Sequence, residues 1–359
     1  MTISALTKLS SRLALLVTGA ALIASCSSTP TEEATDTGSD AATATTEVSG
    51  EASGEACAPD IAEIDFGIIS TESQSNLEEL WEPFLAVMAE EMGRPVNSFY
   101  ATDYAGVIEA MGAGKIQIAW YGGKSYIEAA KRSGAEAFAQ TVASDGSKGY
   151  YAHLVTNVEN PIVAEIDVEA GNGDQYVIEN AGDLTFAFND PNSTSGFLVP
   201  SYYVFAQNGV DPNEAFSELI FAGSHEATAQ AVANNQVDVA TNNSESMARL
   251  QQTDAEACEQ VQIIWTSPLI PSDPIAYKDD IPDCLKAQFQ DFFYNISDES
   301  VLGPLDWAGF DEAGDVDWNP IRELDIARQM EEVKNDAALS EDDKAAQLEE
   351  LGKQLDELQ

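Results

Sequence analysis

Basic residues are scarce in this chain. Lys and Arg total 16 against 62 Asp and Glu, which leaves a formal net charge of −46 over 359 residues. A nucleic-acid binder neutralises phosphates with stripes of Lys and Arg, so this balance excludes that class. It also argues against docking on anionic headgroups and, taken alone, against small anions as ligands. Histidine is nearly absent, with only His153 and His225, and no C-x-x-C occurs, so a metal centre lacks ligands. There is no G-x-S-x-G elbow for a serine nucleophile. No G-x-G-x-x-G follows a strand. Gly123-Lys124-Ser125 looks like the end of a P-loop, but the pattern needs Gly five residues before Gly123, where Ile118 stands. After the N-terminal segment no apolar run is long enough for a transmembrane helix.

What is present is material for a core. Hydrophobic residues make up 44%, with 14 Phe, 11 Tyr and 5 Trp. That composition belongs to a folded protein, not a disordered one, despite the charge.

The first residues read as a targeting segment. Lys8 and Arg12 precede an apolar stretch over 13–24, and Ile23-Ala24-Ser25-Cys26 resembles a bacterial lipobox, with Cys26 as the thiol for a lipid anchor. Residues 1–25 are therefore expected to be a lipoprotein signal peptide. Residues 26–58 are Ser, Thr, Ala, Gly and acids, a flexible acidic tether. An anchor plus a tether implies function outside the cytoplasmic membrane, with Cys26 as the link to it. The remaining cysteines are Cys57, Cys258 and Cys284. Three is odd, so one stays free or none pairs; Cys258 with Cys284 is favoured because they flank one strand.

From Ile64 the pattern alternates. Ile64, Phe66 and Ile68 mark a strand; Leu77, Leu80, Trp81, Phe84, Leu85 and Met88 mark a helix over 76–92. A strand over 96–100, a helix over 104–111, a strand over 116–121 and a helix over 125–132 follow, giving a mainly parallel sheet covered by helices. Strands are expected over 137–143 and 150–156, with Asp145-Gly146-Ser147 as the turn, and then over 184–188, 219–222, 237–241 and 261–265. The length and order suit two α/β lobes with two crossings, near 150–157 and 263–268. The implied division is 59–150 and 266–322 for one lobe, 151–265 for the other, and 323–359 for C-terminal helices. In that tail Ser340 starts a capping-box-like segment, and Leu348, Leu351, Leu355 and Leu358 form an apolar stripe. The stripe is expected to pack on its own lobe; pairing with a second copy, a homodimer, is the alternative.

The most informative stretch is Asn189-Asp190-Pro191-Asn192-Ser193-Thr194-Ser195-Gly196-Phe197, which follows a strand and opens a helix. One hydroxyl would suffice as an N-cap. Three in a row, beside free N–H groups and the positive end of the dipole, make a receptor for an oxyanion. Pro200 can kink this helix. Tyr104 and Tyr121 stand at strand–helix junctions of the first lobe and could donate to the same anion, although each taken singly reads as a structural aromatic. His225 lies at a strand end of the second lobe. Glu245 follows Thr241-Asn242-Asn243-Ser244, and Asp273 lies in Pro268-Leu269-Ile270-Pro271-Ser272-Asp273-Pro274. In so acidic a chain a single carboxylate is by default a surface group.

These strings carry a resemblance. Asp65-Phe66-Gly67-Ile68-Ile69-Ser70-Thr71-Glu72-Ser73, Asp103-Tyr104-Ala105-Gly106, Ile118-Ala119-Trp120-Tyr121-Gly122, Asp190-Pro191-Asn192-Ser193-Thr194-Ser195-Gly196-Phe197, Val237-Asp238-Val239-Ala240-Thr241-Asn242-Asn243 and Trp265-Thr266-Ser267-Pro268-Leu269-Ile270-Pro271 resemble the phosphonate-binding proteins of bacterial ABC importers. The resemblance runs collinearly from about Ile64 to the C-terminal helices. It implies a two-lobed periplasmic-binding-protein fold of the second type, with mixed sheets covered by helices, closing on ligand like a hinged trap. It implies no catalysis and no cofactor, and the permease subunits of an importer as partners. By motif, Ser193, Thr194, Ser195, Tyr104, Tyr121 and His225 would hold the phosphonate oxygens, and Glu245 and Asp273 the ammonium of 2-aminoethylphosphonate. Receptors for phosphite, phosphate or alkylphosphonates are the alternatives, and a surface phosphoester hydrolase a more distant one. Lys124 departs from the family's neutral residue; it would tune anion affinity or face solvent.

Overall fold

The computed structural model describes residues 57–358. The signal segment, Cys26 and all of the tether up to residue 56 lie outside the described residues. The chain runs β1 (Ile64–Ile68), α1 (Gln74–Met92), β2 (Val96–Tyr100), α2 (Tyr104–Gly112), β3 (Ile118–Trp120), α3 (Gly123–Ser133) and β4 (Ala135–Ala143). Next come β5 (Gly149–Tyr150), β6 (Ala152–Asn157), α4 (Ile162–Glu165), α5 (Gly173–Asn180) and β7 (Thr185–Phe188). Then follow α6 (Pro212–Ala215), β8 (Glu218–Phe221), α7 (His225–Ala233), β9 (Val239–Asn243), α8 (Ser244–Thr253), α9 (Ala255–Glu259) and β10 (Val261–Thr266). The last part holds β11 (Ile270–Pro271), β12 (Pro274–Lys278), α10 (Asp283–Asn295), α11 (Glu299–Leu302), β13 (Trp307–Glu312), α12 (Asn319–Asn335) and α13 (Glu341–Asp356).

Two mixed sheets result. The first has the order β13-β4-β12-β3-β1-β2, and the second β10-β6-β9-β7-β8. β1 pairs in parallel with β2 and β3, whereas β12 runs antiparallel to β3 and β4. In the second sheet β7 is parallel to β8 and β9, and β6 is antiparallel to β9 and β10. β4 and β6 therefore belong to different sheets, and the turn at Asp145 does not close a hairpin between them. The chain enters the second lobe beyond β5 and returns through β11. These two short strands pair antiparallel, Tyr150 opposite Ile270, between the sheets.

The first lobe is built on aromatics. Leu77, Trp81, Phe84, Leu85 and Met88 form the buried face of α1, at the spacing of one helical stripe. Trp81 and Phe84 meet Phe66, Trp120, Trp307, Phe293 and Phe310 from the sheet and α10. In the second lobe Phe186, Phe188, Phe205 and Phe216 do the same work. Each of these rings buries a large apolar area, so together they dominate the core.

Two expectations are corrected. The disulfide joins Cys57 to Cys284, and Cys258 is free. Cys258 sits on α9 of the second lobe, while Cys284 opens α10 of the first, beyond the return crossing, so sequence proximity does not become contact. Cys57 and buried Ala58 accordingly belong to the folded part and not to the tether. The C-terminal leucine stripe is used within the chain: α13 lies along α12, with Leu351 buried and Leu348, Leu355 and Leu358 half-buried. Ser340 caps α13, accepting from Asp343 N at 3.2 Å.

α12 in turn touches both lobes, α3 on one side and the helix after β7 on the other. Lys124 is buried and pairs with Asp325 of α12 at 3.0 Å and with Glu128 at 2.9 Å. It neither faces solvent nor enters the anion site; it ties α3 to α12.

Candidate functional site

The loops at the C-terminal strand ends of both sheets meet in one small cleft, where ligands of open α/β sheets bind. Its lining side chains stand close together and leave a cavity of only about 10 Å³. The first lobe contributes Ile69 and Thr71 after β1, Tyr104 opening α2, Trp120 ending β3, Gly122 before α3 and Asp273 before β12. The second contributes Ser193, Thr194, Ser195, His225, Asn243, Glu245 and Arg249, and Tyr150 enters from the crossing.

The hydroxyl triplet sits where the helix after β7 begins. Ser193 is the N-cap, its Oγ accepting from Gly196 N at 3.0 Å. The next residues, Thr194–Leu198, wind as a π-turn, a form that recurs at functional sites. Pro200, which has no N–H to donate, lies between this turn and a second π-turn, Ser201–Phe205. Gly196 is required here, because a Cβ would come within 2.4 Å of Asn189 Cβ. As first residues of a helix, Thr194 and Ser195 present N–H groups with no intrahelical acceptor. α2, α3, α7 and α8 also begin at the cleft, so several dipoles point their positive ends at it. Partial charges of this kind serve an anion without requiring basic side chains.

Around the triplet the polar groups interlock. Asn243 Nδ2 donates to Ser195 Oγ at 3.1 Å and faces His225 Nε2 at 3.2 Å. An amide N–H can only donate, so His225 Nε2 accepts and Nδ1 carries the hydrogen. His225 Nδ1 is buried with no partner among the described residues. Burial, with Arg249 nearby, lowers the His225 pKa to about 3, which keeps the ring neutral. Tyr104 is buried, its oxygen accepts from Asn189 Nδ2 at 3.2 Å, and burial raises its pKa, so the phenol stays a donor. Thr194 Oγ1 accepts from the Lys124 backbone N–H across the cleft at 2.9 Å.

Two carboxyls also line the cleft, those of Glu245 and Asp273. Asp273 is 6% exposed, and its pKa is raised well above the usual range, first by burial and then by the charge of Glu245. The Glu245 pKa is raised by burial and partly restored by Arg249. Tyr150 lies against both Asp273 and Thr194 and so links the carboxyls to the hydroxyl triplet. The Trp120 indole N–H faces Asp273 without completing a hydrogen bond of normal geometry, and Asp273 Oδ1 and Thr71 Oγ1 have no partner among the described residues. Buried polar atoms without partners are rare in proteins. Four of them line this cleft: those of Thr71, Trp120, His225 and Asp273.

Of the eight residues expected to meet a ligand, seven line the cleft. Tyr121 does not. Its hydroxyl points under α2 toward Val107 O at 3.5 Å and Met111 Sδ at 3.6 Å. Successive residues at the end of a strand face opposite ways, so the position that enters the cleft is Trp120. Thr71, Trp120, Tyr150, Asn243 and Arg249 escape the sequence reading, although Asn243 and Trp120 adjoin residues it singles out.

The lobes are in contact around this cleft. His225 N donates to Thr71 O at 2.9 Å, and Glu226 Oε2 accepts from Ser73 N and Asn76 Nδ2 at the start of α1. Tyr104 N approaches Asp190 Oδ2 at 3.4 Å, and Arg249 pairs with Glu72.

Residues 66–318 match the family described as the ABC transporter, phosphonate, periplasmic substrate-binding protein. The chain belongs to this phosphonate-binding family. It is 45% identical over 299 residues to the phosphonates-binding periplasmic protein of Escherichia coli K12, covering 82% of this chain and 85% of that one. A binding protein component of an ABC phosphonate transporter from Pseudomonas aeruginosa has a crystal structure that matches with a TM-score of 0.76 at 45% identity, over 82% of this chain and 96% of that one. A phosphate-import protein of Mycolicibacterium smegmatis is 28% identical over 63% of this chain and 70% of its own. The fold is thus the two-lobed one of periplasmic binding proteins. Members of the phosphonate-binding family bind a substrate for import and do not convert it. The protein works outside the cytoplasm, and among the described residues no helix is long and apolar enough to cross a membrane.

Proposed function

We propose that this phosphonate-binding component takes 2-aminoethylphosphonate. The phosphonate lies among Tyr104, Ser193, Thr194, Ser195 and His225, and the ammonium lies between Glu245 and Asp273. The observation that carries this reading is the composition of the cleft, in which neutral donors and two carboxyls line the same small space. A phosphonate with three acceptor oxygens needs many donors, and a cation a few ångströms away needs carboxylates. Phosphate, phosphite and alkylphosphonates have no cation for those carboxyls. Closure brings Tyr104 and the N-terminus of α3 onto the helix that carries the triplet, and the closed form docks on the permease.

We further read Cys26 as lipidated, with the acidic segment after it as a tether to the outer face of the membrane; metabolic labelling with a fatty-acid analogue, lost in Cys26→Ala, tests this. For the ligand, the test is Glu245→Ala measured against two ligands. Loss of a charge-assisted hydrogen bond of about 2 kcal/mol should weaken 2-aminoethylphosphonate about 30-fold and methylphosphonate far less. Equal losses would dismiss the ammonium role.

A further inference from the structure

Among the described residues Arg249 is the one Lys or Arg side chain that lines the cleft, and the ligand contacts above do not use it. Its Nε donates to Glu72 Oε1 at 3.0 Å, with both side chains nearly buried, at 12% and 9% exposure. Glu72 also accepts from Ser246 Oγ at 3.4 Å. Glu72 lies in the loop between β1 and α1 of the first lobe, whereas Ser246 and Arg249 lie on α8 of the second. The ion pair is therefore made across the cleft. One helical turn before Arg249 stands Glu245, on the same helix. Residues four apart share a helix face, and Glu preceding a cation is the favourable order. Arg249 thus has two acidic partners within reach, one on its own helix and one on the facing lobe.

We infer that Arg249 is a resident cation that lobe closure moves from Glu245 to Glu72, and that it thereby determines specificity. The inference rests on the reading of Glu245 as the ammonium's partner. When the lobes part, Glu72 leaves with the first lobe, and Glu245 is the carboxylate that stays on Arg249's own helix. When they close, Glu72 returns and draws the guanidinium away, and Glu245 is left beside Asp273. A ligand ammonium then takes the place that the guanidinium vacates. A ligand without a cation closes over two carboxyls that only the displaced guanidinium, held on Glu72, still offsets. Discrimination then comes from a penalty on the wrong ligand as well as from attraction to the right one, which is how specific sites commonly work. A simple interlobe tie would instead strengthen closure on every ligand alike.

The test is calorimetric titration of 2-aminoethylphosphonate and methylphosphonate into the full chain, reading the ratio of their affinities. In Glu72→Gln, Arg249 stays on Glu245 in the closed form. The preference for 2-aminoethylphosphonate should fall about tenfold or more, mainly through weaker aminophosphonate binding. In Glu72→Gln/Arg249→Met neither charge remains, and the preference should return to within about threefold of the parent. If Glu72→Gln does not fold, Glu72→Asp, which shortens the reach to Arg249, gives the same readout. A preference unchanged in these single variants, or a double variant as unselective as Glu72→Gln, overturns the inference. Glu245→Ala serves as the control. If it also leaves the preference unchanged, the ammonium reading itself has failed; if it lowers the preference while Glu72→Gln does not, only the role of Arg249 has failed.

Discussion

Replacing Asp273 by Asn keeps the shape of the side chain and its contact with Tyr150 and removes one ionisable group. Asp273 is buried in the cleft, with Glu245 as its acidic neighbour. A hydrogen bond to a charged group contributes about 1.5–3 kcal/mol, so 2-aminoethylphosphonate should bind about 10- to 150-fold more weakly to the variant. Methylphosphonate offers no cation and should change by less than about threefold. The same substitution has an effect on stability whose sign follows from the pKa. The folded-state carboxyl has a raised pKa, so its stabilisation is complete below the unfolded value of 3.8 and is lost as pH rises through the folded value. Asn cannot ionise and avoids that loss. The ligand-free variant should therefore melt at a higher temperature than the parent at neutral pH, and the gap should close in acid. Titration calorimetry with the two ligands and scanning calorimetry across pH measure both effects. Equal weakening of the two ligands, together with a variant less stable than the parent at neutral pH, would refute the assignment of Asp273 as a buried carboxylate awaiting a cation.

Three further outcomes are expected. Tyr104→Phe should weaken all phosphonates by about 1–2 kcal/mol, whereas Tyr121→Phe, under α2, should leave affinity unchanged within error; titration of the two variants side by side decides. Because burial holds the His225 pKa at about 3, affinity should show no histidine step between about pH 5 and 8, and a clear inflection near the ordinary histidine value would contradict the neutral ring. Cys57→Ser should cost about 2–4 kcal/mol in denaturant unfolding, while Cys258→Ser should stay within about 0.5 kcal/mol.

Much of this is legible along the chain because it is local. The strand–helix alternation, the hydroxyl triplet and the capping of α13 by Ser340 are set by residues within a few positions of one another. What escapes is set by distant partners. Tyr121 and Trp120 differ by one position, and only the end of β3 decides which of them enters the cleft. Lys124 cannot be read without knowing that α12 brings Asp325 against α3. Cys57 finds Cys284 across 227 residues, although Cys258 is far nearer in sequence. Glu72 and Arg249 carry no local signal at all, since each is an ordinary helix-flanking or helix-surface charge until the lobes meet. The net charge misleads for a related reason. Carboxylates spread over the surface are screened within about 10 Å, whereas the cleft presents helix ends and neutral donors at contact distance.

The most direct test of the central claim is a calorimetric comparison of 2-aminoethylphosphonate with inorganic phosphate on the parent protein. One-to-one binding of 2-aminoethylphosphonate, about 100-fold or more tighter than phosphate, is the expected result, because two charge-assisted contacts at about 1.5 kcal/mol each give that ratio. No heat with 2-aminoethylphosphonate, alongside tight binding of phosphate, would contradict it.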